Sequence, residues 1–283
     1  MFSENVYMVR GGIGVGPFNT DFNVKLIFAI ATACMVIYDW KKNNRLDYFW
    51  VSIFGTLIWT VAETFLQLRG YREFQKNYIF GLPLPGFIAI PLQGLVEGGF
   101  IAVTCLFITD WIRQKQTRHL AIIIYGILMG VMFIGSFVNG IQTPNYGGNV
   151  PSRRNMTAIT PLIFLGILTY ANLAFFVIHP RPQWEGRKIG TYLRIKPTRG
   201  DRIRGYYMFV LMLIFGTVWT VGEYLAGTRW IEVGSEGSTR HAPILIEILA
   251  FAFDIIIEIT VAYIPFYTLP LGLKLIKSEF KNY

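Results

Sequence analysis

Residues 47–68 read DYFWVSIFGTLIWTVAETFLQL, an apolar run whose one acidic or basic residue after the opening Asp47 is Glu63. A helix of about 20 apolar residues crosses roughly 30 Å of hydrocarbon, and this run has that length. Comparable runs lie on either side of it, at about 23–39, 86–112, 119–139, 158–179, 205–227 and 243–269. Hydrophobic residues make up 53% of the 283-residue chain and charged ones 15%, whereas a soluble domain carries about 25% charged. The pattern predicts an all-α membrane protein with about seven transmembrane helices. Residues 1–22 are expected to form an extracytoplasmic tail, 23–269 the transmembrane domain, and 270–283 a cytoplasmic tail.

Orientation follows from the basic residues between the runs, because loops that stay cytoplasmic retain Lys and Arg during insertion. Lys41, Lys42 and Arg45 follow the first run, Arg113, Lys115 and Arg118 the third, and a basic stretch from Arg181 to Arg204 the fifth. Those loops are therefore expected in the cytoplasm and the N-terminus outside or in the lumen. The net charge of +9 sits largely on that one face, so it reports topology and contact with anionic lipid, not nucleic acid. Residues 1–23 lack a basic region followed by an apolar one, so the first run is expected to direct insertion itself. Cys34 and Cys105 fall inside runs and read as packing residues.

The 47–68 run has a second copy. Trp59-Thr60-Val61-Ala62-Glu63 with Arg69 matches Trp219-Thr220-Val221-Gly222-Glu223 with Arg229 at identical spacing, and Phe54-Gly55-Thr56 and Phe215-Gly216-Thr217 precede the two copies. A weaker echo relates Pro91 and Glu97 to Pro243 and Glu247. The simplest account is a parallel 3+1+3 repeat, with one unit at about 23–112, a linker helix at 119–139 and a second unit at about 158–269.

Six acids fall within the runs: Glu63, Glu97, Glu223, Glu247, Asp254 and Glu258. Each costs at least about 2.5 kcal/mol near the bilayer centre, so such residues face the bundle interior and mark function. No Lys or Arg is expected at their depth, and an acid desolvated without a cation is held in its neutral, proton-donating form. At about 100° per residue, Glu247, Asp254 and Glu258 share a stripe. Trp59 with Glu63, Trp219 with Glu223, and Gln93 with Glu97 are four apart and share faces. The plainer reading gives these acids hydrogen bonds to neighbouring helices and makes the tryptophans interfacial anchors. Asp110 is expected to be a solvated cap, and Arg69 and Arg229 to lie at the interface.

Acids beside aromatic walls suit one chemistry well. A protonated carboxyl delivers a proton to an epoxide or alkene, aromatic faces stabilise the carbocation, and a second carboxylate removes a proton at the end. The catalytic candidates are Glu63, Asp254, Glu223 and Glu97. Trp59, Trp219, Glu247, Glu258, Tyr224 and Phe253 are expected to contact substrate, with Phe100 in the wall. His119, His179 and His241 are too scattered for a metal site, and Gly11 to Gly16 lacks the strand and helix units of a nucleotide fold, so neither metal nor other cofactor is expected.

With Glu63 near Trp59 and Asp254 in the last run, the chain resembles the integral membrane terpene cyclases of fungal meroterpenoid biosynthesis. Many members of that family place Trp and Glu side by side, whereas three residues separate Trp59 from Glu63. The resemblance implies a metal-independent isomerase or lyase of secondary metabolism, in the endoplasmic reticulum if the source is eukaryotic. Its substrate would be a hydrophobic farnesyl-type chain on an aromatic or polyketide head, commonly carrying an epoxide made by an upstream epoxidase. The alternative is a proton- or cation-coupled small-molecule transporter built on the repeat, which needs helix breaks near midplane. A receptor is a third reading.

Overall fold

The computed structural model describes residues 6–7, 20–69, 72–74, 77–142, 152–154, 199–226, 231–233, 239–241, 243–252, 255, 260–273 and 275–276. Among them the fold is helical. In chain order the helices are α1 (Thr20–Asn43), α2 (Asp47–Leu68), α3 (Gly86–Arg113), α4 (Arg118–Gln142), α5 (Arg199–Leu225), α6 (Ile244–Ala252) and α7 (Thr260–Gly272). Four of them contain stretches long and apolar enough to cross a membrane: Asp47–Leu68, Gly86–Arg113, Arg118–Gly135 and Ile203–Leu225. The run 47–68 is helical from end to end. The expected start at 205 is late by about a turn and a half, because α5 begins at Arg199. Helix α6 lies within the expected run 243–269 and α7 begins in it and extends to Gly272, with 253–254 and 256–259 outside the described residues. The expected run 158–179 also lies outside them.

Helix α3 forms the axis of the bundle, with 72% of its apolar window buried, against 22% for α4. Its Ile101 to Leu106 stretch packs against Tyr48 and Val51 of α2, Tyr125 and Met129 of α4, Met208 and Met212 of α5, and Phe266 of α7. The outer face of α4, with Ile122, Ile127 and Val131, stays exposed, as a lipid-facing helix requires.

Between helices in lipid there is little hydrophobic drive, so small residues that let backbones approach set the packing. Gly55 of α2 meets Gly98 and Gly99 of α3 across such a seam, and Gly94 meets Thr56 and Thr60 one turn on. A Cβ on Gly98 would land on the carbonyl group of Gly55, and one on Gly55 would lie 2.8 Å from the carbonyl carbon of Gly98. Neither backbone has room to retreat. Gly98→Ala is therefore expected to lower stability by about 1–3 kcal/mol through overpacking, read as a lower melting temperature in detergent. Gly126→Ala on α4, where a new Cβ meets nothing within 4 Å, is the control that should leave melting unchanged.

The seam coincides with a change in helix type. Residues Leu95–Phe100 form a π turn inside α3, in which the ladder widens from four residues to five. Glu97 sits in this turn.

Short antiparallel strands join the helix ends at the pole where α2 and α5 finish. They are β1 (Val6–Tyr7), β2 (Arg72–Phe74), β3 (Asn77–Ile79), β4 (Leu82–Leu84), β5 (Ser152–Arg154), β6 (Ile231–Val233) and β7 (Thr239–His241), paired as β1-β6-β7, β2-β5 and β3-β4. The β3–β4 hairpin turns on Phe80 and Gly81, at φ 50° and 77°, and two positive angles match the right-handed twist of flanking strands. The Phe80 N–H donates to Asn23 Oδ1 at 2.9 Å, tying the hairpin to the start of α1.

Candidate functional site

Helices α2 and α5 run toward the strand-capped pole, so Glu63 and Glu223, each within two turns of its helix end, arrive there together with Glu247 from the start of α6. Their exposures are 1%, 3% and 7%. A carboxyl buried to that degree requires hydrogen-bond partners, and each has them. Gln67 Nε2 donates to Glu63 Oε1 at 3.3 Å, Trp219 Nε1 to Glu223 Oε1 at 2.7 Å, and Tyr224 OH to Glu247 Oε2 at 3.2 Å.

Glu97 has the most developed surroundings. Trp59 Nε1 donates to its Oε2 at 2.7 Å, and Gln93 Nε2 donates to its Oε1. The Gln93 carbonyl in turn accepts from Lys25 Nζ. A hydrogen-bonded chain thus runs Lys25, Gln93, Glu97, Trp59 across α1, α3 and α2. Lys25 is itself buried, its ammonium 3.9 Å from the centroid of the Phe22 ring, and Phe100 stacks on Phe28 at 4.6 Å one turn beyond Glu97.

Two expectations from spacing hold in this geometry: Trp219 bonds Glu223 and Gln93 bonds Glu97, each along one helix. Trp59, which shares its face with Glu63, gives its indole N–H to Glu97 of α3, a partner that spacing along one helix does not reveal. The Gly55–Gly98 seam brings α3 close enough for that bond. The two copies of the Trp-Thr-Val repeat therefore place their tryptophans differently. The expectation that no cation reaches the acids is corrected. Helix α1 begins at Thr20, which puts Lys25 in its second turn, and its apolar stem lies over Phe22 while its ammonium reaches Gln93. Asp254, Glu258 and Phe253 lie outside the described residues, so Glu247 alone represents the expected acidic stripe here.

The opposite pole holds a second polar cluster, which the sequence reading missed. Arg204 of α5 is fully buried. Its fork grips Asp110 of α3 with Nε–Oδ1 at 2.8 Å and Nη2–Oδ2 at 2.7 Å, and Nη1 reaches Asp47 Oδ2 of α2 at 2.5 Å. Arg45, in the turn between α1 and α2, bridges Asp110 Oδ2 at 3.0 Å and Asp39 Oδ1 at 2.8 Å, while Tyr48 OH donates to Asp110 Oδ2 at 3.1 Å. Burial works against the Arg45 charge, but Asp110 and Asp39 outweigh it and the neighbouring Arg204, so its pKa is raised. Asp110 is thus no solvated cap: at 1% exposure it is the centre of a clasp on the ends of α1, α2, α3 and α5. The early start of α5 turns Arg204 from a loop charge into a helical one aimed at the bundle. The signal available in the sequence was acids and arginines within a turn or so of several run ends on one side. From Asp47 to Glu63 along α2 is about 24 Å, so the clasp and the glutamate pole stand most of a hydrocarbon core apart.

Among the described residues no group of three or more His, Cys, Asp or Glu is arranged to hold a metal ion. No family model matches the chain, and no curated protein or solved structure matches it.

Proposed function

We propose that this chain is a multi-pass membrane terpene cyclase, with its N-terminus outside or lumenal, that protonates an epoxide or alkene of a farnesyl-type substrate and guides carbocation cyclisation. The observation that carries this reading is the company the acids keep. Glu97 with Trp59, Glu223 with Trp219 and Glu247 with Tyr224 each pair a carboxyl with an aromatic side chain, and Glu63 is buried. In the proposed reaction the Glu63 proton passes to the epoxide oxygen. The carbon–oxygen bond breaks with its electron pair staying on oxygen, and alkene π electrons close rings onto the carbon left positive. Indole and phenol faces stabilise that charge, and a second carboxylate takes a proton from the last cation. The net reaction is an isomerisation. Asp254 and Glu258 complete the acid set in this proposal, with Phe253 in the wall, and a 3+1+3 repeat and, if the source is eukaryotic, residence in the endoplasmic reticulum belong to it too.

A specific observation also favours the transporter reading. The π turn at Glu97 interrupts α3 within its apolar stretch, and such interruptions serve ion coupling in transporters. One experiment separates the two. Membranes from a host without related enzymes, expressing the protein and given an epoxidised farnesyl-arene, are expected to yield a cyclised isomer of unchanged mass. Saturable solute uptake into proteoliposomes without a covalent product would replace the cyclase by the transporter.

A further inference from the structure

We infer that Glu97 is the proton acceptor among the glutamates, held as a carboxylate by Trp59 and Gln93, and that Lys25 and Gln93 are its positioning residues. The donor inventory leads there. An ammonium and an indole N–H donate and never accept, whereas a side-chain amide does both. Lys25 Nζ therefore obliges Gln93 to turn its oxygen toward α1, which leaves the amide nitrogen facing Glu97. With Trp59 Nε1 on the other oxygen, both Glu97 oxygens receive N–H groups. That is the arrangement of an anion, because a proton on either oxygen would weaken the bond that oxygen accepts.

Charge balance points the same way. Taking an ammonium out of water is costly unless an anion is close, and the carboxyl that Lys25 reaches through a single amide is Glu97. Glu223 also accepts an indole N–H, from Trp219 at 2.7 Å, whereas the donors to Glu63 and Glu247 are of other kinds. Glu63 is approached by Gln67 of its own helix at 3.3 Å, and Glu247 by a hydroxyl able to donate or accept. The backbone beneath Glu97 is also held in place, since Gly98 is pressed against Gly55.

The role of Glu97 in catalysis rests on the cyclase reading; its charge does not. In that reaction the C–H bond next to the final cation breaks, its electron pair becomes the alkene, and its proton goes to a Glu97 oxygen. Glu63 is then a carboxylate and Glu97 an acid, and proton exchange through water restores both.

The charge is tested first, on purified protein in lipid nanodiscs, by infrared spectra edited with carbon-13 glutamate. Glu97→Gln is expected to remove carboxylate intensity and leave the protonated-carboxyl band in place. Lys25→Met is expected to move intensity from the carboxylate to the protonated band, Lys25→Arg to restore it, and Gln93→Leu to act like Lys25→Met where that variant does not fold. Loss of protonated intensity in Glu97→Gln, or no change in Lys25→Met and Gln93→Leu, overturns the inference. Activity is tested second, on the epoxidised farnesyl-arene. Glu97→Gln should still consume substrate while the alkene fraction falls at least about 10-fold in favour of alcohols from water capture. An unchanged product mixture overturns the termination role. A parent protein that turns nothing over removes the cyclase reading, and the infrared result then decides the charge of Glu97 by itself.

Discussion

Arg204→Met is expected to destabilise the protein by about 3–5 kcal/mol, the cost of leaving buried partners of an ion pair without their counter-charge. Arg204 makes three bonds under 3 Å to two aspartates, Asp110 and Asp47, that are themselves almost completely buried. Asp110 retains Arg45 and Tyr48 after the substitution, which keeps the cost within that range. Arg204→Lys keeps the charge but loses the planar fork, so one ammonium has to choose between Asp110 and Asp47; an intermediate melting temperature is expected. Combining Arg204→Met with Asp110→Leu should recover part of the loss, because an apolar replacement of a whole buried pair is often near neutral. Thermal unfolding in detergent, followed by tryptophan fluorescence, measures all three. If Arg204→Met melts with the parent, the clasp does not hold the helix ends.

Glu63→Gln is expected to reduce cyclisation by about 10²–10⁴-fold, the usual contribution of a positioned general acid, with little change in folded protein. Glutamine has the shape of glutamic acid, and its carbonyl still accepts from Gln67 Nε2, so the packing of α2 survives while the transferable proton is gone. Asp254→Asn is the companion variant, since Asp254 is the other proposed donor. Product is quantified by mass spectrometry against the amount of folded protein. A Glu63→Gln variant and an Asp254→Asn variant that both turn over like the parent would remove general-acid catalysis by these residues.

The helices that carry these groups were legible before any coordinates. Apolar length is a local property, and lipid imposes it strictly, so α2 matches its run and α3 and α4 lie within about a turn of theirs. The faces were legible too, because helical periodicity is fixed: Gln93 lies over Glu97 and Trp219 over Glu223. The start of α5 was not, since Arg199 to Arg204 is polar enough to read as loop and becomes helical where Arg204 finds Asp110 and Asp47.

Among the described residues, the sequence by itself thus determined where the long apolar helices run, which of them carry acids, and which side chains share a helical face. Only the tertiary structure decided which helix those faces meet: that Trp59 serves Glu97 of α3, that Lys25 reaches the acids through Gln93, and that Asp110 is clasped by arginines instead of solvated. The physical reason is range. Periodicity and hydropathy act within a turn or a span, whereas the partner of a buried polar group is set by close packing between helices, here by glycines 55 and 98, distant in the chain and pressed together in space.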